Sequence, residues 1–522
     1  MSAAYQQPVP VVDPFSPARE QVEGMIQRLS SPGTFAMDHA DVEAYVNQEG
    51  REVQRRLLQA HLELRAHAER PVKVVGADGV DRTTRRRRTI GLMSLFGDVQ
   101  VGGFLYQAVG ADGLAPADAS LNLAEDPFSL GVRRRVAEEV ASGSYDEAVE
   151  RVNATTGATI AKRQAEQLAG RAANDFEPFY AEPPENVAEE KDKLLVMTFD
   201  AAGIVVRVED LRSATKKALE KSLEKGAAPE RWPAETSKKN RKLNRKRMAQ
   251  VAAIYGIDPF PRTPEDILRD LRPVHDVTPK TPRPKPVNKR VRASIAREPS
   301  EVIDAVFDEG LRRDPQLTRT WVVLLDGNET QIDCVHRAAR RLGVKVVLVL
   351  DVIHVLGYLW KAANCFHESG TAAAQAWVNQ RLLMLLQGVS ASNVAAGMTR
   401  SATLQNLEKR EAVDSCAAYL CKYRNLIRYR EALKKGLPIA TGVIEGACRY
   451  LIRDRMDKTG AHWSLAGAEA VLKLRALRAN GDWNDYWKFH TQAERTRNHT
   501  SRYANDTVPQ VFPSIPRLRR VK

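Results

Sequence analysis

The chain has 522 residues, beyond the roughly 250–300 at which a single hydrophobic core stops growing, so two to four domains are expected. With 43% hydrophobic and 28% charged residues it is neither disordered nor fibrous, and 79 Lys+Arg against 65 Asp+Glu give a net charge of +14, which points to a polyanionic partner. The longest apolar runs, such as Trp321–Leu325 and Val346–Leu350, fall far short of the roughly 20 residues that cross a bilayer, so no membrane partner is expected.

The first 30 residues carry Asp13, Glu20 and Glu23 and no apolar block behind a basic start, which sets a cytoplasmic expectation. Helices are predicted over 17–29 and 40–67, the second amphipathic through Val42, Val46, Val53, Leu57, Leu58, Leu62 and Leu64. The period then changes. Segments 89–95 and 99–105 read as two strands joined at Phe96-Gly97-Asp98. Arg85, Arg86, Arg87 and Arg88 lead the first of them, as a solvated edge that discourages aggregation or as a phosphate contact.

From 126 to 176 the pattern is helical. Ser144 and Glu147 form a capping box opening a helix over 145–153, Thr155-Thr156-Gly157 turns, and Thr159 caps a second helix that begins with Lys162, Arg163 and Gln164. This is a helix-turn-helix outline, in which the second helix presents its first residues to base edges in the major groove. A plain helix pair with ordinary surface charges is the alternative. Residues 211–250 hold 13 Lys/Arg against 4 Asp/Glu, centred on Lys238, Lys239, Arg241, Lys242, Arg245, Lys246 and Arg247. So one-signed a tract repels itself unless an anion lies beside it, as a nucleic-acid backbone would. Pro273, Pro279, Pro282, Pro284 and Pro286 then mark a stiff irregular crossing.

Five apolar segments from 194 onward read as strands: 194–199, 203–208, 248–255, Trp321–Leu325 and 344–350. The first two, separated by Asp200-Ala201-Ala202, are expected to pair as a tight hairpin with Asp200 at the end of the first. Asp326-Gly327 ends the fourth strand and Asp351 the fifth, and the helical stretch Glu329–Leu342 between them makes a parallel strand-helix-strand unit. A long helical section follows. Thr441 then caps a helix that sets Glu445 in its first turns, with Arg449 four residues on along the same face.

Acids at strand ends are commonly turn residues or caps. Two such acids and one on a later helix, however, are what phosphodiester chemistry needs. Carboxylate oxygens anchor two divalent cations, which activate the attacking oxygen and stabilise the leaving one. The five cysteines (Cys334, Cys365, Cys416, Cys421, Cys448) include no Cys-x-x-Cys pair and read as buried apolar residues in a reducing compartment.

Met197-Thr198-Phe199-Asp200, Val323-Leu324-Leu325-Asp326-Gly327, Asp351-Val352-Ile353-His354 and Gly442-Val443-Ile444-Glu445-Gly446 resemble the DDE transposases of bacterial insertion sequences, specifically the ISKra type related to the Mutator-like lineage. The likeness extends over Asn122-Leu123, Tyr145-Asp146-Glu147-Ala148, Thr459-Gly460-Ala461-His462-Trp463 and Gly467-Ala468-Glu469-Ala470.

The resemblance implies an α/β catalytic core of ribonuclease-H-like fold, a mixed five-stranded sheet with helices, interrupted by an all-helical insertion. A mainly helical N-terminal region containing the β-hairpin would bind DNA. The corresponding division is 1–120 (helices and hairpin), 121–190 (helix-turn-helix-like), 191–364 and 437–480 (catalytic core), 365–436 (insertion) and 481–522 (C-terminal tail).

Asp200, Asp326 and Glu445 would be the catalytic and metal-binding trio for two Mg²⁺ or Mn²⁺ ions. Asp351 and His354 would stand at the same edge, with Asp351 the rival of Asp326 as second ligand. Lys162, Arg163, Gln164, the 238–247 basic residues, Arg449, Arg453 and Lys458 would contact DNA. The partners implied are the element's terminal repeats, target DNA and a second copy of the chain or a larger assembly, in the cytoplasm at the nucleoid. The same acids would also serve a structure-specific nuclease or resolvase that cuts without joining; a non-enzymatic DNA-binding regulator would use them only as turn residues.

Overall fold

The computed structural model describes residues 13–182, 193–224, 246–271, 282–406, 410–440, 442–457 and 461–512. Two units emerge, one of Met1–Phe179 with Trp483–Lys522 and the other of Tyr180–Asp482. Among the described residues no helix is long and apolar enough to cross a membrane.

In the first unit the strands β1 (Thr84–Ser94), β2 (Gly97–Ala108) and β3 (Ala111–Leu114) form an antiparallel sheet in that order. The turn is Leu95-Phe96, because Ser94 pairs with Gly97; Gly97, with φ +120°, opens β2 and does not sit mid-loop as expected. Leu92, Val99 and Val101 bury one face together with Leu62 of the helix His39–Ala68.

The helices Leu130–Ser142, Tyr145–Thr155 and Lys162–Ala172 pack on one another. The Ser144–Glu147 capping box is present. The cap of the third helix is Ala161, not Thr159: the Gln164 side chain returns to the Ala161 N–H at 2.8 Å. The segment expected to be a tail contains the helix Trp483–Asn498, whose Tyr486, His490 and Glu494, four apart, are buried on one face. Arg133, 1% exposed, meets Glu494 at 2.6 Å and Asp126 at 2.9 Å.

The second unit is built on the strands β4 (Leu194–Val205), β5 (Lys246–Ile257), β6 (Val287–Ser294), β7 (Trp321–Leu325) and β8 (Val346–Leu350), arranged β6-β5-β4-β7-β8. β4, β5 and β6 are antiparallel neighbours, and β7 runs parallel to β4 and to β8. The parallel β7-β8 unit with Glu329–Leu342 as crossover is as expected.

Two expectations change. Segments 194–199 and 203–208 are not a hairpin but one continuous strand as far as Val205, because all twelve residues of β4 pair with the twelve of β5. Asp200 therefore lies mid-strand. The sheet is completed to five by β6, which follows the proline-marked stretch and was not among the expected strands. Its sequence VNKRVRAS lacks the apolar alternation of a half-buried strand, and its Arg292 is buried by ion pairing.

Both faces of the sheet are covered, which is why β4 reads as an unbroken apolar run. Leu195, Met197, Phe199 and Val323 face the helices Pro299–Arg313 and Glu329–Leu342. Leu194, Val196, Val322 and Leu324 face the all-helical section, which includes Val352–Phe366, Ala372–Leu386, Ala391–Leu404 and Glu411–Lys422.

Glu309, fully buried, is held by Arg313 at 2.6 Å, Arg290 at 3.4 Å and Arg292 at 3.5 Å. Burial alone would raise its carboxyl, but Arg313, Arg292 and Arg290 outweigh it and hold the group below its ordinary value. Its stabilisation is therefore present above the unfolded-chain value of about 4.3 and is lost as pH falls through the lower folded value. Glu309→Gln is expected to lower the unfolding free energy by about 3 kcal/mol or more in urea at pH 7, since three guanidiniums lose their counter-charge. The gap from wild type should narrow on acidification; a gap that is constant down to pH 3 would contradict this account.

Candidate functional site

The β4–β7 ladder pairs Met197 with Val323 and Thr198 with Leu324. Continued by two residues, it sets Asp200 level with Asp326 on strands about 4.8 Å apart. Because side chains alternate, both acids share the face that carries Leu194, Val196, Val322 and Leu324. β8 extends the row, with Leu325 opposite Leu350 and the Asp351 N–H donating to the Leu325 carbonyl at 2.8 Å. Asp200 within β4, and Asp326 and Asp351 immediately past the ends of β7 and β8, thus fall at one edge of three neighbouring strands.

Their immediate contacts differ. Asp200, half-buried, accepts the Ala201 N–H on Oδ1 at 2.6 Å and the Cys448 thiol on Oδ2 at 3.3 Å. Asp326, half-buried, accepts the Asn328 N–H on Oδ1 at 2.8 Å; its Oδ2 has no hydrogen bond among the described residues. Asp351 is buried and caps Val352–Phe366 by accepting the Ile353 N–H at 2.8 Å. That capping role distinguishes it from Asp326, and His354, one turn on, is exposed.

Tyrosines hold the loops that carry the acids, and the sequence reading did not find them. Tyr419 donates to the Asp326 carbonyl at 2.7 Å, Tyr423 to the Gly327 carbonyl and Tyr429 to the Leu350 carbonyl at 3.0 Å. Tyr419 also stacks on Tyr358, with centroids 4.0 Å apart. Burial, and after it the neighbouring Tyr358 and Asp326, pushes the Tyr419 phenol well above its usual value, so it remains a donor. Gly327 has φ +99°, and a Cβ there would lie 3.1 Å from the Tyr423 ring and 3.2 Å from the Tyr419 hydroxyl. The Asp-Gly pair is thus explained by a left-handed turn beneath two tyrosines.

Glu445 lies on Gly442–Ala447, which packs on β4 and β5, and its carboxylate is exposed. Thr441, its expected cap, lies outside the described residues. The helix runs into a π-helical turn, Cys448–Arg453, a form often found at functional sites. Among the described residues no ion pair joins Glu445 to Arg449, which were expected to stack four residues apart. The Arg449 side chain is 78% exposed, with Asp454 at 3.8 Å, and Arg453 is also exposed. Arg475 donates to the Leu451 carbonyl at 3.0 Å and to the Tyr450 carbonyl, satisfying carbonyls of the widened turn. Burial, then Asp200, keeps the Cys448 thiol far above its usual value, so it stays protonated and donates to the carboxylate.

Of the residues expected to contact DNA, Lys162 pairs with Asp146 at 2.7 Å, Gln164 closes its own helix cap, and Arg163 is exposed with no ion pair or hydrogen bond among the described residues. Lys246 pairs with Asp457 at 3.2 Å. Arg247 donates to the carbonyls of Ile295 and Asp210 at 2.9 and 3.0 Å, which marks it as a structural cation. Lys238, Lys239, Arg241, Lys242, Arg245 and Lys458 lie outside the described residues.

Among the described residues, Asp175, His490 and Glu494 are the one set of three metal-capable side chains whose ligand atoms all lie within 4.8 Å of one another; Asp200, Asp326 and Glu445 are not drawn together to that spacing. Both Glu494 oxygens accept arginines, Arg133 and Arg497 each at 2.6 Å, while Asp175 accepts Arg497 and lies 2.6 Å from His490 Nδ1. Guanidiniums already supply the positive charge a cation would bring. The cluster reads as an ion-pair network anchoring Trp483–Asn498.

Gly327→Ala is expected to lower the unfolding free energy by about 1–3 kcal/mol, from strain at positive φ and contact with the tyrosines, and Tyr419→Phe by about 1 kcal/mol, from the lost hydrogen bond. Urea midpoints measure both, and an unchanged midpoint for Gly327→Ala would refute the described turn. No family model matches the chain, and comparison with curated proteins gives no match.

Proposed function

We propose that the chain is a DNA transposase with a ribonuclease-H-like catalytic core, cutting at its element's ends and joining the freed 3′-hydroxyl to target DNA. The observation that carries this reading is the parallel β4–β7 register, Met197 opposite Val323 and Thr198 opposite Leu324, which carried on by two residues would bring Asp200 level with Asp326 just past the end of β7. Numbered along the unit, the strands run third-second-first-fourth-fifth, with only the second antiparallel to the rest. That order and the crossover helix Glu329–Leu342 support a ribonuclease-H-like core.

The donor set fits a hard divalent cation. Asp326 Oδ2 and the exposed Glu445 carboxylate are uncommitted among the described residues, and the thiol nearest the acids is held neutral. Asp200, Asp326 and Glu445 would hold Mg²⁺ or Mn²⁺, two ions per site. Bound there, the ions would supply an activated attacking oxygen and a stabilised leaving oxygen.

The chain's own groups do the rest. Tyr419 and Tyr423 fix the loop that presents Asp326. Cys448 orients Asp200. Arg449 and Arg453, exposed beside Glu445, would offset phosphate charge as DNA is laid along the edge. Joining two element ends calls for at least two copies of the chain.

Asp200→Asn is expected to reduce Mg²⁺-dependent cleavage of duplexes taken from the flanks of the chain's own gene at least a thousandfold, roughly 4 kcal/mol of transition-state stabilisation, while DNA binding persists. Wild-type protein should also join the cut ends to a target plasmid. Cutting without joining would favour a nuclease. Undiminished cutting by the Asn variant, or no cutting by wild type at any Mg²⁺ concentration, would defeat the proposal.

A further inference from the structure

β1 is an edge strand: among the described residues it pairs with β2, and its other edge is met near its end, where Met93 bridges Phe128, leaving the Arg85–Arg88 stretch unpaired on that side. Arg85, Arg86, Arg87 and Arg88 occupy four consecutive positions on it, and the first three are exposed. Two carboxylates lie nearby, and neither stands at ion-pair distance from Arg85, Arg86 or Arg87, although Arg87 is near enough to favour the charged form of Glu69. Asp118 pairs with Arg88, and Glu69 accepts the Phe104 N–H at 2.8 Å. Among the described residues neither Arg85 nor Arg86 has an ion pair or a hydrogen bond. Arg87 donates only to the Ala66 carbonyl, at 3.2 Å.

The arrangement is ordered as well as charged. The guanidiniums of Arg85 and Arg87 both lie over the Phe104 ring, 5.4 and 4.7 Å from its centre, so two cations share one aromatic platform. Same-face residues on a strand repeat about every 6.8 Å, and two unit charges at that separation repel by roughly 0.6 kcal/mol even in water. Guarding the edge against other strands needs only a single charge. Three exposed arginines with no carboxylate at ion-pair distance among the described residues, Arg85 and Arg87 on one face of the edge and Arg86 on the other, suit a polyphosphate backbone laid along the edge.

We infer that the free edge of β1 is a phosphate-contacting rim for duplex DNA, with Arg85, Arg86 and Arg87 as its contacts. The choice of DNA as the polyanion rests on the proposed function. The rim contacts backbone only, so it adds affinity without sequence preference.

The test uses the full-length chain and a duplex of arbitrary sequence, with binding measured across a salt series. Arg85→Gln/Arg86→Gln/Arg87→Gln, which leaves the Arg88–Asp118 pair in place, is expected to weaken binding about tenfold or more at low salt and to flatten the log–log salt slope by about 2–3, near 0.9 per phosphate lost. The triple lysine variant should retain most of the slope, and thermal unfolding should report an intact fold for both. An unchanged affinity and slope in a folded Gln variant, with wild type binding normally, overturns the rim and leaves the transposase reading standing. Failure of wild type to bind any duplex overturns both. Wild type that binds vesicles of phosphatidylcholine and phosphatidylglycerol in preference to duplex would show the rim to be a lipid contact and overturn the assignment.

Discussion

Side chains on a strand alternate, so a parallel ladder displaced by one residue turns a whole strand over. The β4–β7–β8 register is the constraint on which the second unit depends. With Met197 opposite Val323 and Leu325 opposite Leu350, both faces of the sheet receive complementary apolar sets, and the acids beyond them fall in one row. A one-residue slip would send Asp200 and Asp326 to opposite faces and move Leu195 and Met197 from the cluster they fill into the one on the other face. Burial of both faces thus protects the alignment of the polar edge.

The elements most legible in the sequence were those whose local pattern agrees with their tertiary setting. The helix Glu329–Leu342, flanked by Asn328 and Gly343, begins and ends where the residues indicate, because its Asn cap and its left-handed Gly stop are both local devices. β6 was not legible. Arg290 and Arg292 look like surface residues until Glu309, on a different element, is seen to neutralise them. The continuity of β4 was hidden for a related reason: Asp200 and Gly203 are poor strand formers, and only twelve consecutive pairs with β5 override that preference.

Asp326 and Asp351 could be read from their strand-end context, but Asp200, expected at a strand end, lies within β4, and the residues that position the acids could not be read. Tyr419 lies 93 positions from the Asp326 carbonyl it binds, and Cys448 lies 248 from Asp200. Neither sits in a recognisable motif. Charge was legible only as a total. Lys162, Gln164 and Arg247 suit DNA contact as residue types, yet each is engaged within the fold by a carboxylate, a backbone N–H or backbone carbonyls. Arginines on the edge strand β1 keep their charge outward because few acids lie beside them.

The uninterrupted β4 has a bearing on how the three acids could come together. Asp200 belongs to a backbone bonded residue by residue to β5, and Asp326 to a loop tied down by two phenols, so neither has room to travel. Glu445 sits on a helix of six residues that leads into a widened turn. Of the three carriers, that short helix is the one with the fewest backbone hydrogen bonds to the sheet. Were the proposed trio to meet on a cation, the sheet would be the fixed jaw and the Glu445 helix the part that adjusts to it.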